Sequence, residues 1–366
     1  MSIETLSLSG IRNLQESQLS FGAGVNVFYG DNGAGKTSLL EAIHLLAMAR
    51  SFKASRTRTV VGDQSEELLI SATVAGVGRL AVRRTLKGQS QIRLNGTSLT
   101  TLAELVHLLP LQLIHADSFA LLEGNPGDRR QFLDWGVFHQ FPSFHTDWQK
   151  LQKSLKNRNS LLRSGRLNRS ELDVWEREYL TAADRIDDDR KRYLEGFVPC
   201  FHTVLSQLID LPALRIHYFR GWDKDRPLTD ILEHQRTRDS KLGYTQSGPQ
   251  RADMRIKIGK VNAADLLSRG QQKLVVCALK IAQSLYLQTQ QALPTVFLID
   301  DLPSELDHHH IQKLGALMEG LQTQVFMTCV DPSPLKTFWK NPDQINMFHV
   351  EHGQIRQATD FGDQHE

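Results

Sequence analysis

The chain has 366 residues, 40% of them hydrophobic, enough to bury a substantial core in one large or two smaller domains. With 43 basic residues against 41 acidic ones the formal charge is only +2, so any affinity for a polyanion has to come from local patches. Cys200, Cys277 and Cys329 are too far apart for a disulfide framework or a metal motif, the opening MSIETLSLSG is no charged-then-apolar leader, and apolar runs stay short of about 18 residues. A cytoplasmic protein without a membrane partner is expected.

The first chemical signal is VNVFYGDNGAGKTSLLEAIHLLA. Val25, Val27 and Tyr29 read as the end of a buried strand, and Leu39, Leu40, Ile43 and Leu46 as a helix. Between them Gly30, Asp31, Asn32, Gly33, Ala34, Gly35, Lys36 and Thr37 match the phosphate-binding pattern GxxxxGK[ST]. Glycines let backbone N–H groups curl around a phosphate, and the helix N-terminus adds partial positive charge. Lys36 is placed to reach the β- and γ-phosphates of ATP, and Thr37 to ligate Mg²⁺.

Three alternating, glycine-punctuated segments follow: ELLISATVAG, GRLAVRRTLKG and SQIRLNG predict antiparallel hairpins. Helical spacing then predicts helices near 128–140, 143–165 and 170–209. Residues 150–169 carry Lys150, Lys153, Lys156, Arg158, Arg163, Arg166 and Arg169 with no acid, which points to phosphate contact along one face. Smaller basic runs are Arg50, Lys53, Arg56 and Arg58, and Arg79, Arg83, Arg84 and Lys87. No zinc-finger, RNP or helix-turn-helix pattern is present, so backbone and shape recognition is expected in place of base readout. Trp135, Trp148 and Trp175 read as packing residues.

Further on, SRGQQKLVVCALKIAQSL puts Ser268, Arg269, Gly270 and Gln271 at a helix entry, where small polar groups and bare N–H donors suit an anion. LPTVFLIDDLPSELD predicts a buried strand ending in Asp300 and Asp301. Asp300 suits Mg²⁺, and Asp301 suits the orientation or deprotonation of an attacking water. TQVFMTC predicts one more short strand. His308, His309 and His310 open a helix, and as adjacent residues they do not share a face suited to a metal.

In order, the P-loop, the Ser268 motif, the Asp300–Asp301 strand and Ser304-Glu305-Leu306-Asp307 resemble an ABC-type ATPase head with its signature and D-loop. The N-terminal stretch LSLSGIRNLQESQLSFGAG resembles the SMC and RecF group, which makes Arg12 and Asn13 candidates for contact with the base or α-phosphate. The segment LLEGNPGDRRQFLDW, through Gly124, Pro126, Arg129, Arg130, Phe132, Leu133 and Asp134, and YTQSGPQRADMRI resemble segments of the RecF family. The resemblance runs from about residue 3 to 357 and departs at Gln250, where a histidine is usual, and at the switch strand, where Thr328 and Cys329 replace a histidine. No unambiguous Q-loop glutamine precedes His115.

The resemblance implies an α/β ABC-type head, a mixed sheet plus an antiparallel layer, with an inserted helical lobe. The expected division is 1–114 and 242–366 for the head and 115–241 for the lobe. It also implies an ATP-dependent homodimer in which Ser268, Gly270 and Gln271 serve the partner's nucleotide. Expected activity is weak ATP hydrolysis without nuclease or helicase function. Implied partners are double-stranded DNA, gapped DNA junctions, and the RecR and RecO proteins in recombinase loading. A transporter motor subunit is the alternative, and it would need a membrane partner and normally a switch histidine.

Overall fold

The computed structural model describes residues 2–54, 57–164, 169–301, 307–336, 339 and 345–358. The chain forms two compact units, Met1–Ser118 with Gln291–Glu366, and Phe119–Gln290.

The first unit has two sheets. One is antiparallel, ordered β2-β1-β4-β5-β6-β7, from β1 (Ile3–Ser9), β2 (Ser17–Ser20), β4 (Glu67–Val74), β5 (Gly78–Thr85), β6 (Ser90–Leu94) and β7 (Thr97–Ser98). The other is ordered β15-β14-β3-β13-β12-β8, from β3 (Val25–Tyr29), β8 (Leu111–Ile114), β12 (Val296–Asp300), β13 (Val325–Cys329), β14 (Asn346–Glu351) and β15 (Gln354–Ala358). Its pairings are parallel except at β15, which forms a hairpin with β14. This mixed sheet and antiparallel layer match the sequence expectation.

Helix α1 (Lys36–Met48) belongs to the same core as both sheets. Leu39, Leu40, Ile43, Leu45 and Leu46 are buried with Ile3, Leu6, Ile70 and Val82 of the antiparallel layer and with Leu298, Phe326 and Phe348 of the mixed sheet. A helix buried nearly all round needs apolar residues on most of its faces, which explains the run LLEAIHLLA, interrupted only by Glu41 and His44. His44 lies in this run, donating from Nδ1 to Arg50 O at 2.7 Å, and burial pushes its pKa down to about 4, so it packs as a neutral ring. Short helix α2 (Leu102–Leu108) is capped by Thr101 and leads into β8.

The second unit contains α3 (Ala120–Glu123), α4 (Pro126–Gln140), α5 (Phe144–Arg163), α6 (Arg169–Leu208), α7 (Leu228–Leu242), α8 (Ala263–Leu266) and α9 (Arg269–Gln291). The three long predicted helices are α4, α5 and α6. A three-stranded antiparallel sheet, β11-β10-β9, joins β9 (Leu214–Phe219), β10 (Asp253–Ile258) and β11 (Val261–Asn262). This sheet changes the expected division. Because β9 pairs with β10, residues after 241 are tied to the lobe, and the signature helix α9 groups with it until Gln290. The lobe is therefore not purely helical. Helix α10 (His308–Gly320) is in the first unit, with Asp307 capping His310 N at 3.0 Å.

The basic helix α5 requires another correction. Its buried stripe is Asp147, Leu151, Ser154, Arg158 and Leu162, at helical spacing, so Arg158 faces inward and is no DNA contact. The Arg158 side chain is fully buried and bonded to Asp239 Oδ2 at 2.9 Å, Glu176 Oε1 at 3.0 Å and Thr245 Oγ1 at 2.6 Å. Removing one member of such a buried network strands the others. Arg158→Met should therefore cost about 3–5 kcal/mol in urea denaturation, whereas the exposed Lys153→Glu should shift stability by no more than about 0.5 kcal/mol.

Candidate nucleotide-binding site

The parallel register brings three strand ends to one edge of the mixed sheet. Asp300 lies opposite Thr328, and Cys329 opposite Tyr29, the last strand residue before the P-loop. Gly30 begins the loop at φ 138°, a region that L side chains rarely adopt, and a Cβ there would lie 2.3 Å from Val350 O. Only glycine fits both the backbone and the neighbouring strand.

Lys36 is buried, and its Nζ donates to the P-loop carbonyls of Gly30 at 2.6 Å and Asp31 at 2.8 Å. Its cation is thus held inside the curl formed by Gly30, Asp31, Asn32, Gly33, Ala34 and Gly35. Thr37 Oγ1 donates to Asp300 Oδ1 at 3.0 Å, and Thr328 Oγ1 donates to the same oxygen at 2.8 Å. Thr328 Oγ1 also accepts from Asp301 N at 3.0 Å, while Asp301 takes a left-handed backbone at φ 53°. One hydroxyl therefore ties both acidic residues to the neighbouring strand.

A hydroxyl and a carboxylate oxygen in contact beside a phosphate-binding loop form a hard-oxygen donor set suited to Mg²⁺ shared with substrate phosphates. Burial pushes the Cys329 thiol up to about 12, so it stays protonated at neutral pH.

Asn13 supports the loop from outside, donating from Nδ2 to Gly33 O at 3.1 Å and accepting from Ser38 Oγ at 3.1 Å. Its neighbour Arg12 pairs with Glu41 through Nε and Nη2, which keeps the guanidinium charged. The turn of the terminal hairpin completes the setting, as Gly353 N donates to Ala34 O at 2.9 Å. Sequence reading gave no hint of that last contact, because a hairpin more than 300 residues away shows no motif. It also missed Glu41, Ser51 and the bridging role of Thr328.

The signature residues lie in the second unit. Ser268 Oγ accepts from Gln271 N at 3.3 Å while Gln271 Oε1 accepts from Ser268 N at 3.0 Å, a reciprocal cap on α9. Ser268, Arg269 and Gly270 are exposed, and apart from its chain neighbours and its own helix backbone no described residue comes within 4 Å of a Cβ built on Gly270. Ser304, Glu305 and Leu306 of the D-loop lie outside the described residues.

On α5, Lys153, Lys156 and Arg163 are exposed and fall within an arc of about 80° at 3.6 residues per turn. Lys153 Nζ lies 5.7 Å from the Trp175 ring centroid, and Lys150 approaches the Asp147 carboxylate at 4.0 Å. Arg166, like Arg56 of the earlier run, lies outside the described residues.

The remaining motifs bind each other. Arg129 donates to Asp253 Oδ1 at 2.7 Å, Arg130 to Ala252 O at 2.7 Å, and Asp134 accepts from Arg190 at 2.8 and 2.9 Å. Gln250 accepts from Tyr179 Oη at 2.8 Å, a bond that asks nothing of proton transfer.

This P-loop, its acidic strand tip and the capped signature helix define an ATPase head of the ABC type. A family profile described as the RecF/RecN/SMC N terminal domain matches residues 2–356. The DNA replication and repair protein RecF of Pseudomonas paraeruginosa is 48% identical over 370 residues, covering 99% of each chain. Its counterpart in Stutzerimonas stutzeri is 50% identical over 361 residues, covering 98% of each. The chain belongs to the RecF family. A solved structure of the recombination mediator protein RecF with ATP, from the RecFOR pathway, superposes with a TM-score of 0.84 at 25% identity, covering 98% of this chain and 97% of that one. An Smc head bound to the C-winged helix domain of ScpA gives 0.60 at 16% identity, a likeness of fold alone.

The strand-tip bridge can be tested by itself. Thr328→Val removes the donor to Asp300 and the acceptor for Asp301 N together. Stability in urea should fall by about 1–3 kcal/mol, the cost of a polar group left unpaired. Thr328→Ser should retain most of it.

Proposed function

We propose that the protein is an ATP-dependent DNA-binding protein of recombinational repair and replication-gap processing, in which ATP acts as a dimerisation switch. The observation that carries this reading is the strand-tip cluster of Lys36, Thr37, Asp300 and Thr328. Lys36 exchanges its loop carbonyls for the β- and γ-phosphates, and P-loop N–H groups take the remaining phosphate oxygens. Thr37 and Asp300 would hold Mg²⁺, which would supply neutralisation of the phosphate charge. Asn13, bonded to the loop at Gly33 O, and its neighbour Arg12 are proposed to contact the α-phosphate or base.

Hydrolysis is slow in this reading. Asp301 is one methylene shorter than the glutamate of transporters, and Thr328 replaces a switch histidine that could assist the water. No nuclease or helicase activity is part of this proposal. The Ser268 cap and the open space at Gly270 support a composite site, in which each signature helix N-terminus meets the partner's γ-phosphate across a two-fold axis. RecR and RecO are the proposed protein partners, with gapped duplex DNA as the substrate on which recombinase is loaded.

Two variants separate the halves of the composite site. Lys36→Met should abolish ATP binding in equilibrium titration. Ser268→Arg should leave ATP binding by the monomer intact while blocking ATP-induced dimers in sedimentation. ATP binding retained by Lys36→Met would sink the nucleotide assignment, and normal dimers of Ser268→Arg would sink the composite site.

DNA contact is assigned to Lys153, Lys156 and Arg163, with Lys150 at the margin. Phosphate contacts release counterions, so affinity should fall steeply with salt and vary little with sequence. Reversing these three to glutamate should weaken binding to all sequences alike and flatten the salt slope in fluorescence anisotropy. An unchanged slope would move the DNA path to the Arg79–Lys87 hairpin.

A further inference from the structure

Helix α1 carries a carboxylate that nucleotide binding does not use. Glu41 is fully buried, one helical turn beyond Thr37. A buried carboxylate is costly unless paired and hydrogen-bonded. Arg12 donates to it from Nε and, at 2.9 Å, from Nη2, and Ser51 Oγ donates to Oε1. The two partners belong to different segments beside the P-loop.

Arg12 occupies a left-handed turn at φ 44°, adjoining Asn13, whose side chain holds Gly33 O and Ser38 Oγ. Ser51 Oγ in turn accepts from Lys53 N at 2.9 Å and Ala54 N at 2.7 Å, which shapes the start of the basic segment after α1. One carboxylate thus anchors both a flank of the nucleotide loop and the entry to a cationic loop. With both Oε atoms engaged, a change at either partner alters the electrostatics felt by the other.

We propose that Glu41 is a positioning residue that fixes Arg12 beside the P-loop and, through Ser51, couples nucleotide occupancy to the conformation of residues 51–54. This rests on the assignment of Arg12 as a nucleotide contact. When the Arg12 guanidinium is shared with a phosphate, Glu41 gives up part of its strongest partner and draws more on the Ser51 hydroxyl. The hydroxyl is then held more firmly where it receives the Lys53 and Ala54 amides. By linkage, anything that orders residues 51–54 strengthens nucleotide affinity by the same factor.

The test is a double-mutant cycle on ATP affinity in the full chain, with amide hydrogen exchange across residues 51–54. Glu41→Gln keeps the volume and removes the charge. It should weaken ATP binding about five- to tenfold in the wild-type background and produce no further loss in Arg12→Ala. ATP should slow exchange at Lys53 and Ala54 in the wild type, and Ser51→Ala, which spares the core, should abolish that slowing. An equal loss from Glu41→Gln in both backgrounds would mean a general structural role and overturn the proposal. So would exchange at 51–54 that saturating ATP leaves unchanged. If Arg12→Ala binds ATP as the wild type does, the Arg12 assignment itself fails, an outcome distinguishable from failure of the positioning role alone.

Discussion

The parallel register of β3, β13 and β12 is the constraint on which the site depends. Each strand contributes a residue to the phosphate-binding edge only because Asp300 is paired beside Thr328, and Cys329 beside Tyr29. Register in a sheet is all-or-none, since a slip of one residue turns every side chain to the other face. Here both faces of β12 are buried, so a slip would exchange its two apolar faces and take Asp300 away from Thr328. The packed aromatic cluster of Phe21, Phe28, Phe326 and Phe348, with centroids 4.9 to 6.3 Å apart, ties β3 to its neighbours β13 and β14. The geometry at the strand tips is thus an output of apolar packing a few residues away.

Buried charge does comparable work in the second unit. Arg158 with Asp239 and Glu176, Arg190 with Asp134, and Arg129 with Asp253 each join segments far apart in sequence. Such pairs add little net stability over apolar packing, but leaving one partner unpaired is costly, so they reject alternative arrangements. The segments by which the chain resembles its family outside the ATPase motifs, residues 124–134 and 244–256, meet directly through Arg129 with Asp253 and Arg130 with Ala252 O. In this structure these residues serve contacts within the lobe.

The same view changes what a basic helix means. Seven cations in twenty residues suggest a single phosphate-binding face, yet α5 uses Arg158 to neutralise buried carboxylates and leaves Lys153, Lys156 and Arg163 to solvent. The distinction was available from spacing, because Arg158 lies on the stripe of Leu151 and Leu162. Charge composition concealed it.

By itself, the sequence determined the pieces whose chemistry is local. GDNGAGKT specifies a phosphate loop because glycine conformations and a helix N-terminus are properties of a few adjacent residues. The distant runs VFLIDD and VFMTC specify short buried strands by composition, and helical spacing located α4, α5 and α6 to within a few residues. The tertiary structure decided everything that required two distant segments to meet. It placed Thr328 on Asp300, Gly353 against Ala34, Arg12 and Ser51 on Glu41, and β9 beside β10, which moved the signature helix into the lobe's compact unit. No local pattern encodes these contacts, since threonine, serine and glutamate look alike in sequence whether they are solvated or bonded across a core. Only the packing that brings the segments together reveals which polar side chains must satisfy each other, and why a buried one cannot be left alone.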